Sequence, residues 1–134
     1  MRKYSLPIRI YIEDTDAGGI VYYANYLKFM ERARTECLRA CGIELDVWQH
    51  QHRRLFVVRH VSVDFKQPAR FNEQLQVGAN IMTINPASIE LEQAVTRDDK
   101  LLCNAKVGLA CVDADTLRPT RIPATIKEAL ACEH

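Results

Sequence analysis

The sequence predicts an α+β fold in which one long helix lies against a mostly antiparallel sheet. Two observations carry this reading. Between Val21 and Cys41 the residues Tyr26, Met30, Ala33, Cys37 and Cys41 follow one another at steps of four, three, four and four, which puts them on one stripe of a helix. Most of the remaining chain is strand-like: one run ahead of the helix and four after it, separated by turn-forming residues.

In chain order, Pro7 to Glu13 starts as an apolar–polar alternation and reads as the first strand. It enters the loop Asp14-Thr15-Asp16-Ala17-Gly18-Gly19, whose consecutive glycines permit positive φ angles or a close backbone approach. The long helix follows, its other faces covered by Glu31, Arg32, Arg34, Glu36 and Arg39, and Gly42 stands where a helix C-terminus favours glycine. Leu55 to Phe65 is the second strand, with Val61, Val63 and Phe65 alternating with Ser62 and Asp64, and Pro68 closes it. Leu75 to Ile84, Ser88 to Thr96 and Leu101 to Val112 complete the set, broken by Asn85-Pro86 and Asp98-Asp99. A short helix is expected over Ala124 to Ala131, introduced by Pro123. No repeat, low-complexity stretch or linker interrupts the chain, so residues 1–134 read as one domain.

A chain of 134 residues with 48% hydrophobic and 26% charged residues can bury one core. Its formal charge of +1 provides no field to draw it to nucleic acid or a membrane surface. No apolar run approaches the roughly 20 residues that span a bilayer. Met1 to Pro7 carries basic residues without a following apolar stretch, which is not the pattern of a signal peptide, so a cytoplasmic protein is expected. The five cysteines, Cys37, Cys41, Cys103, Cys111 and Cys132, show no C-x-x-C spacing and read as buried reduced thiols. One helix cannot cover both the face and the edge of such a sheet, and Leu101 to Val112 is apolar on more than one face. Self-association is the expected remedy.

Chemistry is best sought in the loop before the helix. Asp14 and Asp16 lie beside Gly18 and Gly19, just ahead of a helix N-terminus. Unpaired N–H groups and the positive end of the helix dipole at such a place stabilise an oxyanion. A carboxylate next to them supplies the base or nucleophile that acyl transfer needs. The same residues also suit an Asx-turn with an ordinary helix cap. A serine-hydrolase elbow is absent, since the only serines are Ser5, Ser62 and Ser88. His50, His52 and His60 lack the carboxylate or thiol spacing of a zinc set and read as exposed residues near Arg53-Arg54. The D-x-D lacks the rest of a calcium loop, and no glycine-rich phosphate loop occurs. Neither a metal nor another cofactor is expected. The cluster Arg53, Arg54, Arg59, Lys66 and Arg70 reads as a solvated face that could also meet ligand phosphates.

From Tyr11 to Arg34, YIEDTDAGGIVYYANYLKFMERAR resembles the YbgC-type and 4-hydroxybenzoyl-CoA thioesterases of the hotdog superfamily. Phe56-Val-Val-Arg59 and Pro68-Ala-Arg70 are similar to the same family, and the resemblance extends over nearly the whole chain. It implies a hotdog fold, a long central helix wrapped by a five- or six-stranded antiparallel sheet. It also implies a homodimer or a homotetramer built as a dimer of dimers, with sites at subunit interfaces. The activity implied is hydrolysis of an acyl-CoA to acid and CoA, the acyl group being short, long or aromatic. Asp16 matches the catalytic aspartate, and Tyr23 the residue whose backbone N–H polarises the thioester carbonyl. Gly19 and Val21 fall on the substrate side of the motif. Tyr23 departs from the histidine common in the YbgC-type branch and is similar to the hydroxybenzoyl branch. Arg118 resembles a phosphate-binding arginine, although the turn at Asn85-Pro86-Ala87 lacks the arginines that accompany it in the family. A non-catalytic acyl-binding or scaffold subunit is the rival from another class. A hotdog dehydratase is the rival reaction, and it would centre on a histidine that this loop does not have.

Overall fold

A computed structural model describes residues 3–131. Five strands form one sheet: β1 (Lys3–Arg9), β2 (Arg54–Phe65), β3 (Gln74–Ile84), β4 (Ser88–Arg97) and β5 (Lys100–Asp113). Their order is β1-β3-β4-β5-β2, and every neighbouring pair is antiparallel. Three helices accompany them: α1 (Tyr23–Ala40), α2 (Leu45–His52) and α3 (Ala124–Ala131). Cys132, included in the sequence reading, lies outside the described residues.

The expected stripe is the buried face of α1, with Tyr26, Met30, Ala33, Cys37 and Cys41 all inside. The helix ends as its glycine requires. Gly42 takes φ +87, its N–H reaches the carbonyl of Arg39, and Ile43 N–H reaches that of Leu38. This is a Schellman closure, with buried Leu38 and Ile43 as its apolar pair. α1 lies over β1 and β3. Facing it, Leu75, Val77, Ala79 and Ile81 of β3 and Ile89, Leu91 and Val95 of β4 are buried at alternate positions. The intervening Gln74, Gln76, Glu90 and Glu92 face outward, as in a sheet with one solvated side. One polar residue enters this core. Gln93 donates to the carbonyls of Met30 and Gly78 and accepts from Arg34, so α1 is tied to the sheet without an orphaned amide.

The tight β4–β5 turn at Asp98-Asp99 has φ of 50 and 64 at its two residues, the backbone of the two-residue hairpin that matches strand twist. In β2 a bulge at Arg59 shifts the side-chain phase. Phe56 and Val58 before it, and Val61, Val63 and Phe65 after it, therefore share the inner face, opposite Cys111, Leu109, Val107, Ala105 and Cys103. Phe65 at one end of this face meets Tyr26 of α1, but the middle of β2 is left open, with Val58 and Val61 52% and 41% exposed.

Two sequence expectations need correction. The first strand lies earlier, at Lys3–Arg9, and Ile12–Asp14 form a single 3-10 turn. The Asp14 carboxylate accepts the Tyr11 N–H at 2.8 Å and closes that turn, so a local side-chain bond overrides the strand-like pattern. Proline is tolerated in β1 because β1 is an edge strand. The second correction is α2, which carries His50 and His52. Here only Trp48 is buried, its ring stacked on Phe56 at 4.9 Å. His52 is half-buried beside Trp48, with ring centroids 6.4 Å apart, and is not a freely exposed residue.

Candidate active site

The loop between the 3-10 turn and α1 is a miniature hairpin. Thr15 and Val21 form a bridge, Asp16 N–H donates to the Ile20 carbonyl, and Gly19 N–H returns to the Asp16 carbonyl at 3.0 Å. Gly19 has φ +79, which an L side chain adopts only with strain, and no atom would crowd a Cβ there. Its glycine is therefore set by conformation and not by space. Asp16 is exposed on this turn, and its Oδ1 accepts the Gly18 N–H at 2.9 Å. Asp14 has a different part. Besides holding Tyr11, its carbonyl accepts from Tyr22 N–H and from the Asn25 side chain at 2.8 Å. Asp14 therefore shapes the entry to α1.

Among the described residues, no side chain caps α1. Asn25 N–H bonds to the Tyr22 carbonyl, whereas the N–H groups of Tyr23 and Ala24 have no acceptor among the described residues. An uncapped N-terminus on an 18-residue helix presents open donors and the positive end of the dipole together.

A cleft of about 250 Å³ opens beside this terminus. Ile20, Val21, Tyr23, Tyr26, Phe65 and Pro68 form its walls, with Lys66 and Gln67 as the polar lining. The aromatic rings touch in sequence: Tyr23 on Phe65 edge-on at 6.2 Å, and Phe65 on Tyr26 at 5.5 Å. Such a cleft receives an apolar group and leaves its polar end near the helix N–H groups. Opposite Phe65 on β5, the buried Cys103 thiol is pushed up to about 11 by burial, with Asp64 adding to the effect. Cys103 is thus no nucleophile near neutral pH. Folding favours its protonated form, so the stability it adds is complete below the ordinary thiol value of 9.0 and is lost as pH rises towards 11. Iodoacetamide at about pH 8 should leave Cys103 unmodified in the native protein, as read by peptide mass. Rapid native-state labelling would contradict a closed thiol.

Residues 10–130 match the model of the thioesterase-like superfamily. The chain belongs to that superfamily. It is 38% identical over 126 residues to the acyl-CoA thioesterase YbgC of Haemophilus influenzae, an alignment covering 94% of this chain and 93% of the relative. The acyl-CoA thioester hydrolase YbgC of Escherichia coli is also 38% identical, over 121 residues and 90% of each chain. Among solved structures, a probable thioesterase from Bartonella henselae superposes with a TM-score of 0.86 at 32% identity, covering 91% of this chain and 100% of that one. The five-stranded sheet and its helices are thus the hotdog fold expected from the sequence, and the chain is a thioester hydrolase.

Within this thioesterase-like chain, Asp16, Gly19, Val21 and Tyr23 come together at the start of α1. Val21 lines the cleft, and its N–H is spent on the Ala69 carbonyl at 2.8 Å. Asp16 and Gly19 sit on the adjoining turn, outside the cleft walls. Arg118 is not brought near them. It is exposed in the loop after β5, a loop ordered by the Asp113 carboxylate, which the N–H groups of Thr116 and Asp115 hold below the usual range. From Cys103, beside the cleft, to Val112 is about 30 Å along the strand at ~3.3 Å per residue. The basic cluster also disperses: Lys66 lines the cleft, whereas Arg53 pairs with Asp115 at the far end. Sequence reasoning missed Tyr26, Phe65 and Gln67 as cleft residues. For Tyr26 one signal was present, a tyrosine on an otherwise apolar stripe, whose hydroxyl needs a partner.

Proposed function

We propose that this chain hydrolyses acyl-CoA thioesters at the N-terminus of α1. The observation that carries the reading is the pair of open N–H groups at Tyr23 and Ala24, beside the Asp16 turn and at the head of an apolar cleft. The acyl group enters the cleft and its carbonyl oxygen meets the Tyr23 N–H, where negative charge grows as the tetrahedral centre forms. Losing one such donor in a comparable site costs about 2.7–4 kcal/mol of barrier. Asp16 either activates a water that attacks the carbonyl, or attacks it itself, expelling the CoA thiolate to give a mixed anhydride that water then hydrolyses. Either route ends in free acid and CoA. Gly19 and Val21 frame the substrate side. The domain spans 1–134 and works in the cytoplasm, a reading that Cys103 and Cys111, both free thiols, support. No described helix is long and apolar enough to cross a membrane.

The protein acts as a homodimer or a dimer of dimers. Strand β1 is a short edge bearing Pro7, whereas β2 is a 12-residue edge without proline beside the open inner face of Val58, Val61 and Phe65. A second copy is the natural cover for that edge. Arg118, remote from its own cleft, is in this reading available to the CoA held by a neighbouring subunit. No metal takes part, because the carbonyl is polarised by backbone N–H groups. The test is release of CoA from an acyl-CoA with and without a strong chelator. Equal rates are expected, and a loss restored by added zinc would contradict this chemistry.

A further inference from the structure

We propose that Tyr26 is a positioning residue for hydrolysis, its hydroxyl locking the Asp16 turn to the open end of α1. This rests on the assignment of Asp16 above and extends it to a residue that makes no contact with Asp16.

The geometry is a clamp on one residue. Tyr26 Oη accepts the Ala69 N–H at 3.0 Å, and the carbonyl of Ala69 accepts the Val21 N–H at 2.8 Å. Ala69 is therefore gripped from two directions, by the first turn of α1 and by the segment that leads into it. Next to this, Ile20 bridges Arg70, and the Ile20 carbonyl accepts the Asp16 N–H at 2.9 Å. The Asp16 turn is thus connected through Ile20, Val21 and Ala69 to a side chain three residues into the same helix whose first N–H groups stand open.

The clamp depends on the oxygen and not on the ring. Ala69 is 0% exposed, so its buried N–H relies on the Tyr26 oxygen as its acceptor. On its other side the segment is anchored independently, with Arg70 N–H on the Glu73 carboxylate and Arg97 paired to Glu73. Losing the Tyr26 oxygen should therefore leave the strand framework in place and release the Asp16 turn relative to the Tyr23 N–H. Misplacements of about 1 Å in such constellations cost up to about 10²-fold in rate. The ring itself stays packed on Phe65 and Phe29, 5.5 and 6.2 Å away.

The experiment compares Tyr26→Phe, Asp16→Asn and the double variant by steady-state hydrolysis of acyl-CoA. The proposal expects Tyr26→Phe to lower kcat by about tenfold or more with KM within about threefold. In the Asp16→Asn background it expects no further loss, because a residue acting only through Asp16 has nothing left to position. Unchanged kcat in Tyr26→Phe overturns the proposal, as does a rise confined to KM. A further tenfold loss in the double variant also overturns it, since the hydroxyl would then act independently of Asp16. If Asp16→Asn alone stays active, the assignment of Asp16 fails first and the positioning role falls with it. Amide exchange on the unmodified protein gives a second measurement that needs no stable variant. The Ala69 and Val21 amides should be protected to a similar degree, and a rapidly exchanging Ala69 amide would refute the clamp.

Discussion

Asp16→Asn should leave the fold intact and abolish most turnover. The Asp16 side chain is exposed on a turn, and among the described residues its one hydrogen bond is from Gly18 N–H to Oδ1 at 2.9 Å. An asparagine oxygen accepts the same bond, so the turn keeps its shape and the circular dichroism spectrum should be unchanged. The amide, however, is neither a base nor a useful nucleophile. General-base contributions run to about 10²–10⁴-fold, and loss of a covalent nucleophile can exceed this. The loss should fall on kcat, because the apolar cleft proposed to receive the acyl group is untouched. Purified Asp16→Asn that hydrolyses acyl-CoA within a few-fold of the unmodified protein would remove Asp16 from the mechanism.

The second large effect concerns assembly. Light scattering after size exclusion should report a dimer or larger and not the 15.3 kDa chain. The inner face of β2 is apolar because the bulge at Arg59 keeps Val58 and Val61 on the same side, yet α1 lies over β1 and β3 and leaves them half open. Water on such a face beside an unpaired strand edge is costly, and an obligate interface covering both typically buries about 2,000 Å² or more. Val58→Lys with Val61→Lys should place two charges in that contact, give monomers and lower activity sharply, since the proposed shared sites would then be incomplete. A fully active 15.3 kDa monomer would sink both the interface and the shared site.

How much of this was legible in the sequence depended on whether the signal was local. The α1 stripe, the Gly42 stop and the Asp98-Asp99 turn were readable because periodicity, helix termination and turn chemistry each act within a few residues. The first strand was misplaced because the Asp14 carboxylate competes for the Tyr11 N–H, which an alternating pattern does not reveal. Helix α2 was missed because only Trp48 of its eight residues is buried, too little for a periodic stripe. At the candidate site, the motif from Tyr11 to Arg34 pointed to the Asp16 turn and Tyr23 through resemblance, whereas spacing alone left an ordinary helix cap open. The walls contributed by Phe65, Lys66 and Pro68 depend on pairing more than forty residues from the motif, such as Lys66 N–H on the Leu102 carbonyl. No local pattern encodes that approach.

The most direct test of the central claim is CoA release by the purified protein across acyl-CoA substrates of short, long and aromatic acyl groups. The account predicts stoichiometric CoA and free acid from at least one class, at a rate far above that of Asp16→Asn. Saturable binding of acyl-CoA with no hydrolysis of any member would contradict it, and would leave a non-catalytic acyl-binding subunit in its place.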